Sequence, residues 1–332
     1  MQRIRAVRFI PVILFAAVLS AECQTQTAVG RILWSDPGNI RAKNLFWGPG
    51  GDENQPKLPV EFEREDRGGT SPKFDVRDAT DKKWGAKMGL EPRPETAASR
   101  LMWAVGYLAN ENYFYPMLRV EKMPATLHRG QQYLTPAGEV LNVRLQRHPQ
   151  HLKRVGRWNW HKNPFYGTRE FNGLRVMMAL IGNWDLKDDN NAIFEQEKKP
   201  GPQFYAVSDI GTSMGTPGKS YTDAVSKGNL AVYKRTKLIA HFHQDHIDLN
   251  FPKCPPFVEL FEFEWGFYFH QIGLRWIGKQ IPRDDAKRIG SLLGQLSPDQ
   301  IRDAFRAAGY SQLEINAYTD AVLSRIHELN SL

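Results

Sequence analysis

The chain has 332 residues, of which 41% are hydrophobic and 24% charged, a globular composition that excludes general disorder. Its formal charge of +8 would suit an anionic ligand, although Arg3, Arg5 and Arg8 fall in a leader-like start. The densest later basic group, Lys153, Arg154 and Arg157, has no aromatic interleaving, so it reads as a solvated face and not as a nucleic-acid surface.

Three Arg followed by the apolar run 9–19 and then Ser20-Ala21-Glu22-Cys23 predict a secretory signal peptide over residues 1–23, with cleavage after Ala21 or Cys23. Glu22 stands where a lipoprotein signal wants a small residue, which argues against lipid attachment. The expectation is an exported chain, periplasmic or extracellular, with no membrane span after cleavage. Loss of Cys23 would leave Cys254 alone, so no internal disulfide supports the fold.

Residues 24–66, rich in Gly, Pro, Asn and charge, predict an irregular N-terminal extension that packs through its tryptophans. Gly68-Gly69-Thr70-Ser71 then opens a β-hairpin. Phe74 and Val76 alternate with polar residues, 78–81 turn, and Trp84, Ala86 and Met88 alternate again. The period of two puts Lys87 on the face opposite Trp84, toward the ground covered by the glycine loop. Pro94 and apolar residues at helical spacing predict a helix ending near Gly106, with Glu95 in its first turn. Strand-like runs at 117–120 and 138–145 complete a β-rich unit over 67–150.

Beyond Pro149, Trp158, Trp160, Phe165 and Tyr166 read as packing aromatics, and 169–181 as a helix. The polar loop Trp184-Asp185-Leu186-Lys187-Asp188-Asp189-Asn190-Asn191 follows, then an apolar run and a strand-like segment into Asp209-Ile210-Gly211. That order supplies a carboxylate to orient a hydroxyl, a cation to neutralise phosphate, and oxygen ligands for Mg²⁺. Residues 212–227 read as a mobile loop. Ser297-Pro298-Asp299-Gln300 and Ser311-Gln312-Leu313-Glu314 are capping-box helix starts, and Gly309 is a stop. Residues 151–332 thus form a mainly helical unit.

Asp185-Leu186-Lys187-Asp188-Asp189-Asn190 matches the D-L-K-x-x-N of the protein-kinase catalytic loop, and Asp209-Ile210-Gly211 resembles its D-F-G. With Lys87, Glu95 and Gly68-Gly69 upstream in the same order, the chain resembles the protein-kinase-like superfamily over roughly residues 66–215, HipA-type and phosphoinositide-type kinases more than ordinary Ser/Thr kinases. The resemblance implies an α+β, two-lobed kinase-like fold with a β-rich N-lobe and a helical C-lobe. It also implies ATP and Mg²⁺ as cofactors and a hydroxyl-bearing acceptor, protein or small molecule. Asp185 would accept the acceptor's proton and Lys187 would neutralise the transferring phosphoryl. Asn190 and Asp209 would hold the metal, while Lys87 paired with Glu95, under Gly68 and Gly69, would hold the nucleotide. Trp184 replaces the H-R before the catalytic Asp, and nothing after Gly211 reads as A-P-E, departures that argue against a peptide substrate and conventional activation-loop control.

Two alternatives stand beside this reading: a kinase-like module that binds nucleotide or a partner without turnover, and a metal-dependent hydrolase. The second rests on His241-Phe242-His243-Gln244-Asp245-His246, a literal H-x-H-x-D-H able to hold two metals. Only His270 and His327 remain downstream as further histidine ligands, in contexts unlike those of such enzymes.

Overall fold

A two-residue strand, β1 (Arg31–Ile32), precedes two short 3-10 turns and then the first long strand, β2 (Val60–Asp66). β3 (Lys73–Asp78) and β4 (Lys83–Met88) form the hairpin expected from their alternation. A helix, α1 (Pro92–Ala104), follows, then β5 (Glu111–Glu121) and β6 (Glu139–Arg147). The five strands close into a barrel in the order β2-β3-β4-β6-β5, and the parallel pairing of Val60 with Val120 completes the circuit. Inward residues at the strand period, among them Phe74, Val76, Trp84, Ala86, Met88, Val143 and Leu145, fill its interior. This is a computed structural model, and it describes residues 30–69, 71–149, 151–198, 201–215, 228–251 and 273–332. The expected signal peptide, Cys254, His270 and residues 216–227 of the expected mobile loop lie outside the described residues.

The stretch 24–66 is less irregular than its composition suggests. β2 already begins at Val60, its apolar alternation limited to Val60 and Phe62 before acidic and basic residues take over the outward face. β1 pairs in parallel with β9 (Gln203–Val207), which lies next to β8 (Asn191–Gln196) and then β7 (Leu152–Gly156) in a second sheet. Trp34 Nε1 donates to Val105 O at 2.5 Å, and Ser35 N to Gly106 O at 3.0 Å. Gly106 has φ +94°, and a Cβ there would lie 2.1 Å from Ser35 O, so only glycine permits this approach. The extension is thereby fastened to the C-terminal end of α1.

The larger core gathers α1, α2 (Arg169–Leu180) and the helices Arg283–Leu293, Pro298–Arg306 and Gln312–Asn330. Trp158, Trp160, Phe165 and Phe171 pack into it, whereas Tyr166 is exposed. A short helix, α3 (Leu230–Arg235), and a three-stranded sheet of β10 (Ile239–Phe242), β11 (His246–Leu249) and β12 (Ile281–Pro282) complete the described chain. Both expected capping boxes are present, Ser297 with Gln300 and Ser311 with Glu314. Arg325, buried on the last helix, donates to Ala179 O and Leu180 O at the end of α2, and to Tyr233 O and Thr236 O at the end of α3. Among the described residues no helix is long and apolar enough to cross a membrane.

Asp78 ties the β3–β4 turn to the barrel interior, accepting from Thr80 Oγ1 at 2.7 Å and Trp84 Nε1 at 3.0 Å. Burial pushes its carboxyl up, but these bonds and the Lys82 and Thr80 amides outweigh it and bring it down from 3.8 to about 2. Its stabilisation is present above the unfolded value and is lost as pH falls through the folded one. Asp78→Asn should therefore lower stability at neutral pH by about 1–2 kcal/mol. In thermal melts the gap to wild type should narrow as pH drops below about 4, and a gap constant with pH would refute the assignment.

Candidate functional site

Lys87 is cross-strand from Arg144, and both side chains leave the barrel on the side covered by α1. Its Nζ lies 3.0 Å from Glu91 Oε2, 3.0 Å from Glu95 Oε2 and 3.1 Å from Asp209 Oδ1. Arg144 Nη2 adds a second cation 3.3 Å from Glu95 Oε2, while its Nη1 donates to Asn112 Oδ1. Burial alone would push the Lys87 ammonium down, but Glu95, Asp209 and Glu91 hold it well above its usual value. Burial raises the Glu95 carboxyl despite Arg144 and Lys87. For Asp209 burial pulls the same way, yet the Lys87 charge and the Gly211 amide keep it below the ordinary range.

Asp209 is delivered by the end of β9, and the loop after α2 is organised around it. Asn190 closes a 3-10 turn, Asp188–Asn190, and its backbone oxygen accepts from Ser208 N at 2.8 Å and Asp209 N at 3.2 Å. Its side-chain Nδ2 donates to Asp185 O at 2.6 Å, which leaves its carbonyl oxygen for another partner. Leu186 is buried in the main core, so Asp185 and Lys187 on either side of it leave the chain together, 2.8 Å apart. Burial lowers the Lys187 ammonium, but the hydrogen bond and charge of Asp185 raise it overall. The neighbouring acids serve as anchors: Asp188 accepts from Trp160 N at 3.0 Å and from Asn159 Nδ2, and Asp189 pairs with Arg157.

Lys87, Glu95 and Asp209 face a cavity of about 500 Å³, whose wall also carries Lys73, Lys83, Arg144, Arg147, His148 and Arg154. Such a volume accommodates a nucleotide-sized ligand, and its cations suit phosphates, although Lys73 pairs with Asp66 and Lys83 with Asp75 on the same wall. Gly68 and Gly69 lie at the β2–β3 turn but outside the cavity wall, which is formed by the flanking Asp66 and Lys73. The guanidinium of Arg129 takes the carbonyls of Asp66, Gly68 and Gly69, and Gly68 N is spent on Asp66 Oδ1 at 2.8 Å. The structure thus brings Lys87, Glu95 and Asp209 together, links Asp185, Lys187 and Asn190 to them through the Asn190 backbone, and leaves the two glycines at the rim.

The donors fit a hard cation. Asp209 supplies carboxylate oxygens and Asn190 an amide oxygen, the ligand types that Mg²⁺ prefers. The H-x-H-x-D-H segment, by contrast, does not assemble as written. The groups that converge are His243, His246 and Asp248; His241 is not among them, and Asp245 is 86% exposed. His327 is on the last helix.

Several positioning residues were not apparent from sequence. Glu91 touches Lys87 one helical turn before Glu95, and a Cβ on Gly211 would lie 2.7 Å from Glu91 Oε2, so Gly211 gives that carboxylate its space. Asn183, fully buried, accepts from Asp185 N at 3.3 Å and Thr212 Oγ1 at 2.5 Å, joining the two loops. Asn110 Nδ2 holds Ser208 O at 3.2 Å. Arg144, a charge inside the apolar run 140–145, was the one visible signal.

No family model and no curated protein matches this chain. Among solved structures, it is similar to the Helicobacter pylori proinflammatory kinase CtkA, with a TM-score of 0.47 and 8% identity over 83% of this chain and 95% of that one. It is also similar to the Golgi casein kinase, at a TM-score of 0.34 and 13% identity, covering 88% of this chain and 78% of that one. A form of the Golgi casein kinase with Mn/ADP bound gives a TM-score of 0.32 and 12% identity, with 80% and 74% covered.

Lys87→Met should expose the electrostatic design. The raised Lys87 value means its stabilisation is intact below 10.5 and fades only above it. Without it three carboxylates crowd together, at a cost of about 3 kcal/mol near neutrality. The deficit should be larger at about pH 8 than at about pH 5, where the carboxylates can take up protons. Chemical denaturation at the two pH values tests this, and an equal deficit at both would refute it.

Proposed function

We propose that this chain is a Mg-ATP-dependent phosphotransferase with a two-lobed, kinase-like arrangement, exported, and acting on a hydroxyl acceptor. One observation carries the reading: a strand lysine, a helix glutamate and the aspartate of a D-x-G segment meet within about hydrogen-bond distance on the wall of a cationic cavity. Phosphoryl transfer is mostly a matter of positioning and charge compensation, and these groups supply both.

In this mechanism Lys87, held in place by Glu95, turns its ammonium to the α- and β-phosphates. Asp209 and Asn190 would hold the metal, which when bound would offset charge on the phosphates. Asp185 orients the acceptor hydroxyl and takes its proton. Lys187, already 2.8 Å from Asp185, neutralises charge developing on the transferring group. Lys73, Lys83 and Arg147 at the cavity wall draw the anionic nucleotide inward.

Thermal shift of the purified protein with ATP should show stabilisation that requires Mg²⁺, and Asp209→Asn should abolish the metal dependence. Asp185→Asn should retain nucleotide binding while lowering turnover about 10²–10⁴-fold. Binding without any turnover in wild type would instead identify a nucleotide-binding module, and no Mg-dependent binding at all would end the nucleotide reading.

A further inference from the structure

The second place where ligand-type side chains converge is the β10–β11 hairpin. Along β11, Ile247 and Leu249 are buried, so the period of two sends His246 and Asp248 together to the other face. His243 N donates to His246 O at 3.0 Å, closing the tip and bringing His243 over the same face. The two imidazoles stack with centroids 4.2 Å apart and planes 15° from parallel. His243 Nε2 lies 3.7 Å from Asp248 Oδ2, and one ligand atom from each of the three residues falls within 4.8 Å of the others.

We propose that His243, His246 and Asp248 bind one borderline divalent cation of the Zn²⁺ type, with water completing a tetrahedral shell. Nitrogen and oxygen ligands at Zn²⁺ bond lengths stand about 3.3 Å apart, so the two near-parallel, partly exposed rings turn out of their stack to aim both lone pairs at one ion. The surroundings are those of a metal centre. Asp245 Oδ1 sits 2.6 Å from His246 Nδ1, and a proton held there leaves Nε2 with its lone pair and fixes the ring. Asp248 is oriented by Gln280 N on Oδ1 at 3.0 Å, and its Oδ2 is held by the Lys279 ammonium at 2.8 Å. Lys279 is a resident counter-charge, half-exposed and free to swing into solvent when the ion arrives.

Two imidazoles with one carboxylate select Zn²⁺, Co²⁺ or Cu²⁺ over Mg²⁺, so this site is chemically distinct from the all-oxygen donors at Asp209 and Asn190. Its ligand set also differs from the H-x-H-x-D-H reading, in which His241 and Asp245 would bind metal directly.

Titration of the full chain with Co²⁺, followed by its visible ligand-field absorption and by displacement with Zn²⁺, tests the proposal. Wild type should bind one equivalent more than the His243→Ala/His246→Ala double variant, and Asp245→Asn should weaken that equivalent about tenfold. Equal stoichiometry in wild type and double variant overturns the proposal. Should the double variant fail to fold, Lys279→Ala decides: tighter Co²⁺ binding supports the site, and unchanged or weaker binding overturns it.

Discussion

A buried ammonium facing three carboxylates is the interaction on which the rest of the arrangement depends. Lys87 leaves a barrel strand, Glu91 and Glu95 belong to the start of α1, and Asp209 arrives from β9, so one cation joins three separate parts of the chain. Removing such charges from water is costly unless each is matched. Arg144 brings the local count to two cations against three carboxylates, which leaves the cluster short of positive charge. Burial, more than the neighbouring acids, raises the Glu95 carboxyl, while Asp209, the most accessible of the three, keeps a side available to a further cation.

The loop after α2 shows how a polar sequence can anchor several neighbours at once. Asp188 and Asp189 are spent on the 157–160 segment, and Asn190 uses its backbone oxygen to seat Ser208 and Asp209. Asp185 and Lys187 pair with each other at 2.8 Å, and the buried Asn190 side chain spends its Nδ2 on Asp185 O. Asn183 joins this loop to Thr212, so one buried amide oxygen links the two Asp-bearing segments.

Much of this was legible because the periodicities are local. Phe74, Val76, Trp84, Ala86 and Met88 alternate cleanly, and the capping boxes at Ser297 and Ser311 are spelled out in four residues each. β2 was hidden because its solvent face is so charged that only Val60 and Phe62 mark the inner one, and β1 is too short to carry a pattern at all. Glu91 looks like any acid before a helix; only the tertiary fold turns it toward Lys87. The histidine motif converges differently from its spelling for a related reason. Spacing along a chain does not say which way a hairpin tip folds, and here the tip turns Asp245 to solvent and recruits Asp248 instead.

Arg325 extends the reach of the site well beyond its own loops. Its guanidinium satisfies carbonyls at the C-terminal ends of both α2 and α3, the first of which leads directly into Asn183 and Asp185. Ala179 O also takes the Gly182 amide at 3.0 Å and Leu180 O the Tyr233 hydroxyl at 2.7 Å, so the guanidinium joins carbonyls that already close the end of α2. Arg325 thus ties the last helix to the turn that leads into Asn183 and Asp185, and to the end of α3, through four hydrogen bonds to backbone carbonyls. A substitution at Arg325, distant in sequence from every residue of the site, would therefore be felt at the loop that carries Asp185.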